Sequence, residues 1–515
     1  MTNFKQLYLA SVVCILLCIV CITDGYCVEN SPQTLIMGAQ KDFLAVAEGK
    51  LLVFDSLVTL DDSGNIKPGL AESWNFSTDG KILTLVLRSG VIYHDGTPFD
   101  AKSAKFGLER AKIGAYWSKY IDDINIVSDR TVQVLFNTYY NTFLLNMTGA
   151  WQADSFISPS AVNPAWNPEG KIIKYIGTGA FKLADYKKER EALLIRNENY
   201  WGIKPKLSKV VWKYTPDPYA QIMALKAGEL DIIGLPEHHS SVPFMKLGEF
   251  AANPDMLVSI QSYGRYQVLE FNCHKPPFED IRIRKAFNYA IDRETMVRSL
   301  FGNITDPSCL ITDPKFIWGP SNIKKGYQHD VEKANQLLLE AGWLEKDENG
   351  ILHKNGKPFE IELLVTTGEA NGDMIALVVQ SQLKKIGINL KIKTLTNGWD
   401  KRLTGEYDLF LHHSGCLPSI PGGIGIGDKY HSKGWPHAYH SKELDQLIES
   451  AFTTIDESIM RQKCDSIWEL LHQANPCIPL YDIKKAVVMN KKVRGFKHGV
   501  TMFHINLTDT VIAND

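Results

Sequence analysis

The stretch "GLAESWNFSTDGKILTLVLRSGVIYHDGTPFDAKSAKF", residues 69–106, carries the turn and strand signals that decide the fold of the N-terminal half. Its central part, residues 81–91, alternates apolar and polar side chains at a period of two, as a half-buried strand does. Asp-Gly pairs at 79–80 and 95–96 flank this strand and favour tight turns. A helix is predicted next, with Asp100 as its N-terminal cap. The stretch therefore predicts strands joined by turns and then a helix.

The C-terminal half alternates predicted strands with predicted helices. Residues 359–367, 388–395 and 407–413 have the apolar character of strands, and the first two are separated by a predicted helix over 370–387. Such alternation indicates α/β layering. Further amphipathic helices are predicted over 281–301 and within 327–343.

Length and composition set the class of protein. A chain of 515 residues is too long for one hydrophobic core and predicts two or three domains. Apolar residues make up 44% and charged residues 22%, which is ordinary for a globular protein. The formal net charge of −2 gives no reason to expect nucleic acid or an anionic membrane as a partner.

The N-terminus has the pattern of a secretory signal peptide over residues 1–26. Lys5 precedes an apolar run, Leu7 to Ile22, and small residues follow it. An uncleaved membrane anchor is the alternative, because the run is at the short end of what spans a bilayer. We expect a periplasmic or otherwise extracytoplasmic protein whose mature form is soluble.

Cysteine spacing is the next constraint. After the apolar run lie Cys27, Cys273, Cys309, Cys416, Cys464 and Cys477, with no CxxC pair among them. This argues against a zinc knuckle or a thioredoxin-type site. In an oxidising compartment, Cys464 and Cys477 are a candidate disulfide pair, although spacing leaves the connectivity open.

Five stretches together resemble a known family. They are 69–106, "IGTGAFKLADYKKEREALLIRNENYWGIKPKLSKVVWKYTPDP" (176–218), "MALKAGELDII" (223–233), "EFNCHKPPFEDIRIRKAFNYAIDRETMV" (270–297) and "YQHDVEKANQLLLEAGW" (327–343). In this order they resemble the extracytoplasmic solute-binding proteins, family 5, of the dipeptide, oligopeptide and nickel ABC importers. The resemblance implies two mixed α/β lobes of the periplasmic-binding-protein type, with the ligand enclosed between them.

The resemblance also implies a domain division and partners. Lobe I is expected over 27–270 and 485–515, with an inserted subdomain at about 72–170, and lobe II over 271–484. The hinge is expected near 270–272 and around 483–488. The expected partners are a membrane permease with its ATPase and a small-molecule metal chelate or a short peptide, and we expect a monomer.

The stretch "YDLFLHHSGCLPSIPGGIGIGD", residues 407–428, bears on the ligand. In peptide-binding relatives, an Asp in the loop after this strand pairs with the peptide's ammonium group. Here no acid occurs between the end of the strand at His412 and Asp428, which weakens the peptide interpretation. The stretch resembles the nickel-binding branch instead, with His412 at the strand end and His437 in "PHAYH" (436–440). Neutral imidazole is a good donor for Ni(II).

Departures from the nickel branch narrow the ligand class. Gly415 replaces its loop tryptophan, and residues 149–160 contain no counterpart of its chelate-binding arginine. Trp117 and Trp399 fall where that branch has cleft aromatics. A histidine-type chelate, or a metal bound by more than one protein imidazole, is then favoured, with His504 as a second imidazole. The expected metal residues are therefore His437, His412 and His504.

Each candidate has a structural alternative. His412 alternates with apolar neighbours, so it also suits a hydrogen-bonded core imidazole. His413 should point to the opposite face of the strand. Cys416 is a candidate residue of the ligand cleft. The alternative for Cys416 is an oxidised or inert thiol with no role in binding. The remaining histidines are expected to be solvated or structural, namely His94, His238, His239, His431 and His440.

No motif predicts an enzyme. The sequence lacks GxSxG, HExxH, a P-loop and a Rossmann glycine pattern, so we predict no catalysis and no catalytic cofactor. The predicted function is capture of nickel or a nickel chelate, of which nickel–histidine is one, for an ABC importer. The alternative is a di- or oligopeptide carrier, and a third reading is a sensory or scaffold protein that uses the fold without a transporter.

Overall fold

The computed structural model describes residues 33–61, 65–149, 154–235, 242–312, 318–367, 369, 371–415, 428–434, 439–499, 501 and 503–513. The expected signal peptide lies outside these ranges. Within them, the structure contains no helix with the length and apolar character needed to cross a membrane.

The α-helices are distributed along the whole described chain. They are α1 (Ala47–Lys50), α2 (Ala101–Lys112), α3 (Phe143–Asn146), α4 (Pro218–Lys226), α5 (Phe244–Ala251), α6 (Ile281–Ala290), α7 (Arg293–Phe301), α8 (Val331–Glu340), α9 (Gly372–Lys385), α10 (Gly398–Leu403), α11 (Asp428–Tyr430), α12 (Lys442–Phe452) and α13 (Glu457–Ala474). Short 3₁₀ helices occur at Phe43–Ala45, Tyr116–Tyr120 and Pro159–Ala161.

The strands range from two residues to sixteen. In the first half of the chain they are β1 (Thr34–Ala39), β2 (Val58–Leu60), β3 (Ile66–Pro68), β4 (Ala71–Phe76), β5 (Ile82–Leu87), β6 (Ile121–Ser128), β7 (Thr131–Phe136), β8 (Val162–Asn163), β9 (Lys171–Ile172), β10 (Phe181–Lys187), β11 (Glu191–Arg196), β12 (Lys209–Tyr214) and β13 (Ile232–Ile233). In the second half they are β14 (Met256–Phe271), β15 (Glu345–Lys346), β16 (Leu352–Lys354), β17 (Lys357–Pro358), β18 (Glu360–Thr366), β19 (Asn389–Leu395), β20 (Leu409–Gly415), β21 (Cys477–Asn490), β22 (Val493–Arg494), β23 (Lys497–His498), β24 (Ile505–Asn506) and β25 (Val511–Ile512).

One ten-stranded sheet runs through both lobes, in the order β10-β11-β12-β1-β13-β21-β14-β20-β18-β19. The strands on one side of β21 and β14 come from the N-terminal half, and those on the other side come from residues 360–415. The fold is the expected two-lobed α/β arrangement. The long strands β14 and β21, called the crossing strands below, join its two halves.

Local sequence accounts for many element boundaries. Asp100 caps α2 by accepting a hydrogen bond from the Ser103 amide at 2.9 Å, as predicted. The turn glycines Gly80 and Gly96 have positive φ angles of 69° and 88°, which glycine adopts without a Cβ penalty. The predicted strands around 359–367 and 388–395 are the parallel pair β18 and β19, and α9 connects them.

Apolar cores lie on both sides of the sheet and in a separate layer. The first core packs N-terminal strands around Trp212, and the second packs helices α4 to α9 around Phe287. A third core is shared by the four-stranded sheet β4-β5-β7-β6 and helices α12 and α13. The predicted subdomain therefore does not bury its apolar surface alone, because C-terminal helices cover it.

The predicted continuous helix over 281–301 is wrong. Ile291 is extended, with φ −86° and ψ 112°, and ends α6. Asp292 begins α7 by accepting a hydrogen bond from the Thr295 amide at 3.0 Å. The Gln382 side chain also accepts from the Asp292 amide at 2.9 Å, so a tertiary contact holds the break that periodicity does not reveal.

The candidate disulfide is also wrong, since Cys464 and Cys477 are both free thiols. Cys464 packs with Trp318 and Met460, whereas Cys477 packs in a different apolar cluster. Burial raises the pKa of Cys464 to about 12 and that of Cys477 to about 11. Each sulfur is a buried apolar group in its own cluster.

Candidate functional site

The pairing of the crossing strands changes register between the two lobes. Residues Met256–Ser262 of β14 pair with Lys484–Asn490, and pairing resumes at Arg265 opposite Ile483. The two intervening residues include Gly264, whose φ is 65°. Such a bulge bends the strand and redirects side chains locally. The bulge lies directly before Arg265, where β14 begins to pair with β20 as well as with β21.

Arg265, just after the bulge, lies between acidic groups from both halves of the molecule. Burial lowers the pKa of Arg265 to about 9, against the opposing charges of Glu369 and Glu48. Glu48 lies on α1 in the N-terminal half, and Glu369 follows β18 in the C-terminal half. A guanidinium in this position is well suited to a carboxylate from a ligand, because its donors form a planar fork.

Both acidic groups hold protons more tightly than usual. Burial raises the pKa of Glu369 to about 7, against a hydrogen bond from Gln267 Nε2 at 3.1 Å and the charge of Arg265. Burial also raises the pKa of Glu48, opposed first by the charge of Lys485. Lys485 itself is only 4% exposed. We call Glu48, Arg265, Gln267, Glu369 and Lys485 the junction site.

A second group of charges is buried beside β20. The Glu270 carboxylate accepts hydrogen bonds from Arg402 Nη2 at 2.7 Å and from Tyr407 Oη at 3.2 Å. Lys429 Nζ lies 3.0 Å from Glu270 Oε2, and His412 Nε2 lies 3.1 Å from the same oxygen. We call these five residues the Glu270 cluster. It ties β14, β20, α10 and α11 together.

The Glu270 cluster has a clear charge balance. Burial alone would raise the pKa of Glu270, but the charge of Lys429, the hydrogen bond with His412 and the charge of Arg402 hold that pKa well below its ordinary value. Burial, together with the charge of Lys429, lowers the pKa of His412 to about 4. His412 is therefore a neutral imidazole at pH 7.

The C-terminal segment approaches the crossing strands from the N-terminal half. Phe503 packs on Tyr263, and Ala47 of α1 and Leu51 directly after that helix pack against the same pair. Next to it, His504 Nδ1 lies 2.7 Å from Thr501 Oγ1. Burial lowers the pKa of His504 to about 4, against a hydrogen bond with the Thr148 backbone.

Comparison with known proteins identifies the family. The family model for bacterial extracellular solute-binding proteins, family 5, matches residues 65–419. The chain belongs to this family. A nickel-binding periplasmic protein of Escherichia coli (strain K12) is 27% identical over 449 residues, covering 85% of each chain. A dipeptide-binding protein of the same strain is 26% identical and covers 92% of this chain and 91% of its own.

A solved structure of a relative has the same fold. NikZ from Campylobacter jejuni, in complex with Ni(L-His), superposes with a TM-score of 0.81 at 24% identity. The match covers 93% of this family 5 chain and 100% of NikZ. The two-lobed architecture predicted from the sequence is thereby confirmed.

The predicted metal residues of this family 5 protein lie in separate segments, and one of them falls outside the described residues. His437 lies outside the described residues, as does Cys416. His412 belongs to the Glu270 cluster and His504 to the C-terminal segment. Among the described residues, no three side chains of His, Cys, Asp or Glu group together as a metal site. The metal assignments remain predictions.

The two predicted cleft tryptophans occupy different environments. Trp399 packs edge-on against His412 with ring centroids 5.7 Å apart, so it borders the Glu270 cluster. Trp117 is 6% exposed and packs edge-on against Phe143 at 5.5 Å, within the core shared with α12 and α13. Their roles in binding remain predictions.

The other histidines have structural partners. His94 Nε2 lies 3.0 Å from the Gly179 carbonyl, and His431 Nε2 lies 3.2 Å from Glu449. The His440 ring lies on that of His274, with centroids 4.4 Å apart. His413 pairs with Gln267 across the sheet and lies near Trp399. His238 and His239 lie outside the described residues.

Sequence reasoning missed the junction site. Its charges lie in largely apolar runs, for example Glu48 in "FLAVAEGKLLVF" (43–54) and Lys485 in "CIPLYDIKKAVVM" (477–489). A charge within a run that must be buried indicates a buried charged site, because burying an unpaired charge costs free energy. The sequence does not show which of these charges lie close together, because that depends on strand register.

Proposed function

We propose that this chain is the substrate-binding component of an ABC importer that captures nickel or a nickel chelate between its lobes. It then delivers the cargo to a membrane permease and ATPase, from an extracytoplasmic location. Similarity to the nickel-binding periplasmic protein, and to NikZ with its Ni(L-His) ligand, supports this choice. We propose a transport role and no catalysis.

The observation that carries the proposal is the position of Arg265 between carboxylates from both halves. A chelator that coordinates nickel through nitrogen and carboxylate groups would offer Arg265 a negative partner. The imidazoles of His412 and His504, which burial keeps neutral at pH 7, have the protonation state that Ni(II) requires. Cargo that contacts both halves stabilises the closed conformation, because the open one lacks those joint contacts.

The first test is titration calorimetry of the mature protein with Ni(II), with and without free L-histidine. We expect heat of binding that depends on nickel and becomes larger or tighter when histidine is present. Peptides that co-purify with the protein, together with no response to nickel, would contradict the proposal.

His437→Ala tests the loop histidine. We expect at least about a tenfold loss of nickel affinity, because one imidazole donor is removed. His440→Ala is the matched control, since His440 stands three residues away but stacks on His274. Equal affinity in His437→Ala and wild type would exclude His437 from the site.

A peptide carrier is the second candidate. The dipeptide-binding relative and the two buried carboxylates, Glu48 and Glu369, favour it, because a carboxylate can receive a peptide's ammonium group. Calorimetry with dipeptides in place of nickel separates the two functions.

A further inference from the structure

Glu48 is an unusual carboxylate for a globular protein. Its side chain is fully buried, at 0% exposure, on the four-residue helix α1. Neither carboxylate oxygen has a hydrogen-bond partner on any other residue that the structure describes, and only the backbone of Glu48 itself acts on it as a donor. Buried polar groups nearly always have such partners, so this one requires an explanation.

The surroundings of Glu48 are apolar on one side and cationic on the other. The flanking residues Ala47 and Leu51 pack on Tyr263 and Phe503, at the N-terminal side of the crossing strands. The charges that act on Glu48 are those of Lys485 first and Arg265 second. Glu48 thus lies at the junction site, on the half of the molecule opposite to Glu369.

A purely structural role explains this arrangement poorly. A carboxylate that receives no hydrogen bond from another residue loses its hydration on burial and regains little of that free energy. A folded core would favour an apolar side chain at this position. The arrangement is explained if a donor arrives with the ligand and satisfies the carboxylate in the complex.

We propose that Glu48 accepts a hydrogen bond from an amine N–H of the ligand and is a specificity-determining residue. The Arg265 guanidinium takes the carboxylate of the same ligand. The ligand class is then an α-amino acid head group, with amine and carboxylate side by side. This inference rests on the proposed function and names the chemistry of the chelator.

Two ligands share this chemistry. An amino acid that chelates nickel through its amine nitrogen keeps N–H donors on that nitrogen, and a peptide carries an N-terminal ammonium. In both, a carboxylate such as Glu48 gains a charge-assisted hydrogen bond, which is stronger than a neutral one.

The experiment compares two chelators in wild type and in Glu48→Gln. The first is L-histidine with Ni(II), and the second is Nα,Nα-dimethyl-L-histidine with Ni(II), whose coordinated amine has no N–H. We expect wild type to prefer the first, and Glu48→Gln to reduce that preference about tenfold to a hundredfold. Isothermal titration calorimetry on the mature protein gives both affinities.

Asp231→Asn is the matched control. Asp231 is also a buried carboxylate of the N-terminal half, but it binds the Ile36 amide at 2.7 Å and Lys492 at 2.7 Å. We expect this variant to lose stability and to keep the wild-type preference between chelators. A loss of preference in Asp231→Asn equal to that in Glu48→Gln would overturn the assignment, as would an equal loss of both affinities in Glu48→Gln.

Failure of this inference and failure of the proposed function give different results. If wild type binds nickel–histidine and Glu48→Gln keeps the full preference, the role of Glu48 is wrong and the nickel function stands. If wild type ignores nickel–histidine but binds a free dipeptide, and Glu48→Gln weakens that binding about tenfold or more, the nickel function is wrong and the role of Glu48 stands. Binding of neither ligand by wild type overturns both.

Discussion

At the scale of single residues, buried charges dominate the region where β14 pairs with β20. Glu270 illustrates how they are stabilised: its carboxylate is 1% exposed, yet Arg402, Lys429 and His412 surround it. Attraction at such short distances is strong because little water screens it. The arrangement holds only while the charges remain together, because each one would be costly if left alone.

Glu270→Gln tests this dependence. Removing the negative charge takes away the carboxylate that Arg402 and Lys429 share, so we expect the free energy of unfolding to fall by about 3–5 kcal/mol. Urea denaturation followed by tryptophan fluorescence measures it. Glu294→Gln, which removes a partner of the exposed Arg298, should change stability by less than about 0.5 kcal/mol. Equal, small losses in the two variants would contradict the proposed dependence.

His94 makes stability depend on pH. Burial lowers the pKa of His94 from 6.5 to about 4, while Nε2 bonds to the Gly179 carbonyl. Between these values the unfolded chain binds a proton that the folded protein does not. The stabilisation from neutral His94 is therefore complete above pH 6.5 and is lost as pH falls towards 4.

The expected contribution of His94 is a slope of about 1.4 kcal/mol per pH unit in the free energy of unfolding. His94→Gln should remove that slope, as measured by urea denaturation at several pH values. Val91→Ala is the control, because it opens a small cavity in the same core without removing a titrating group. An unchanged slope in His94→Gln would show that His94 is not responsible.

At the scale of elements, the bulge in β14 is the main feature. The strand is sixteen residues long and passes from one half of the sheet to the other. A regular strand of that length would keep the alternation of faces throughout. The two unpaired positions after Ser262 interrupt this regular pairing, and Arg265 and Gln267 of the junction site follow directly after them.

Gly264→Ala probes this bulge. The φ of 65° places the backbone where a Cβ is unfavourable, so we expect stability to fall by about 1 kcal/mol. Gly248→Ala is a control for which we expect the opposite change in stability. Gly248 lies within α5 with no atom within 4 Å of an added Cβ, so alanine should stabilise by about 0.5–1 kcal/mol. Stabilisation by both substitutions in urea denaturation would contradict the strained turn.

At the scale of the whole molecule, a shared apolar core packs the predicted subdomain against the C-terminal helices α12 and α13. Tyr140 packs edge-on against Phe452 of α12, with ring centroids 5.7 Å apart. Asn141 Nδ2 donates to the Ala451 carbonyl at 2.7 Å, and the Asn141 amide donates to the Phe452 carbonyl. On the domain division expected from the sequence, these contacts join lobe I to lobe II and favour the closed conformation.

Asn141→Ala should shift the protein towards an open conformation. It removes the side-chain hydrogen bond across this contact, which is worth about 0.5–1.5 kcal/mol, and so weakens ligand affinity by up to about tenfold. Small-angle X-ray scattering of the ligand-free protein should show a larger radius of gyration. Asn137→Ala is the control, because that side chain bonds to Lys119 within the subdomain. Identical scattering from the two variants would exclude Asn141 as a closing contact.

The sequence predicted local structure where the cause of that structure is local. Asp100 caps its helix because a carboxylate three residues before an amide can reach it. Gly80 and Gly96 turn the chain because they adopt positive φ. The break at Asp292 was missed because Gln382, ninety residues away, helps to hold it.

By itself, the sequence determined the family, the α/β class, the two lobes and the apolar faces of most helices and strands, because periodicity and turn residues act over a few positions. Tertiary structure alone decided which charges meet. The bulge after Ser262 sets Arg265 between Glu48 and Glu369, and the pairing of β14 with β20 places Glu270 against His412. Electrostatic and hydrogen-bond energies depend on distances across the fold, and no local pattern in the chain encodes them.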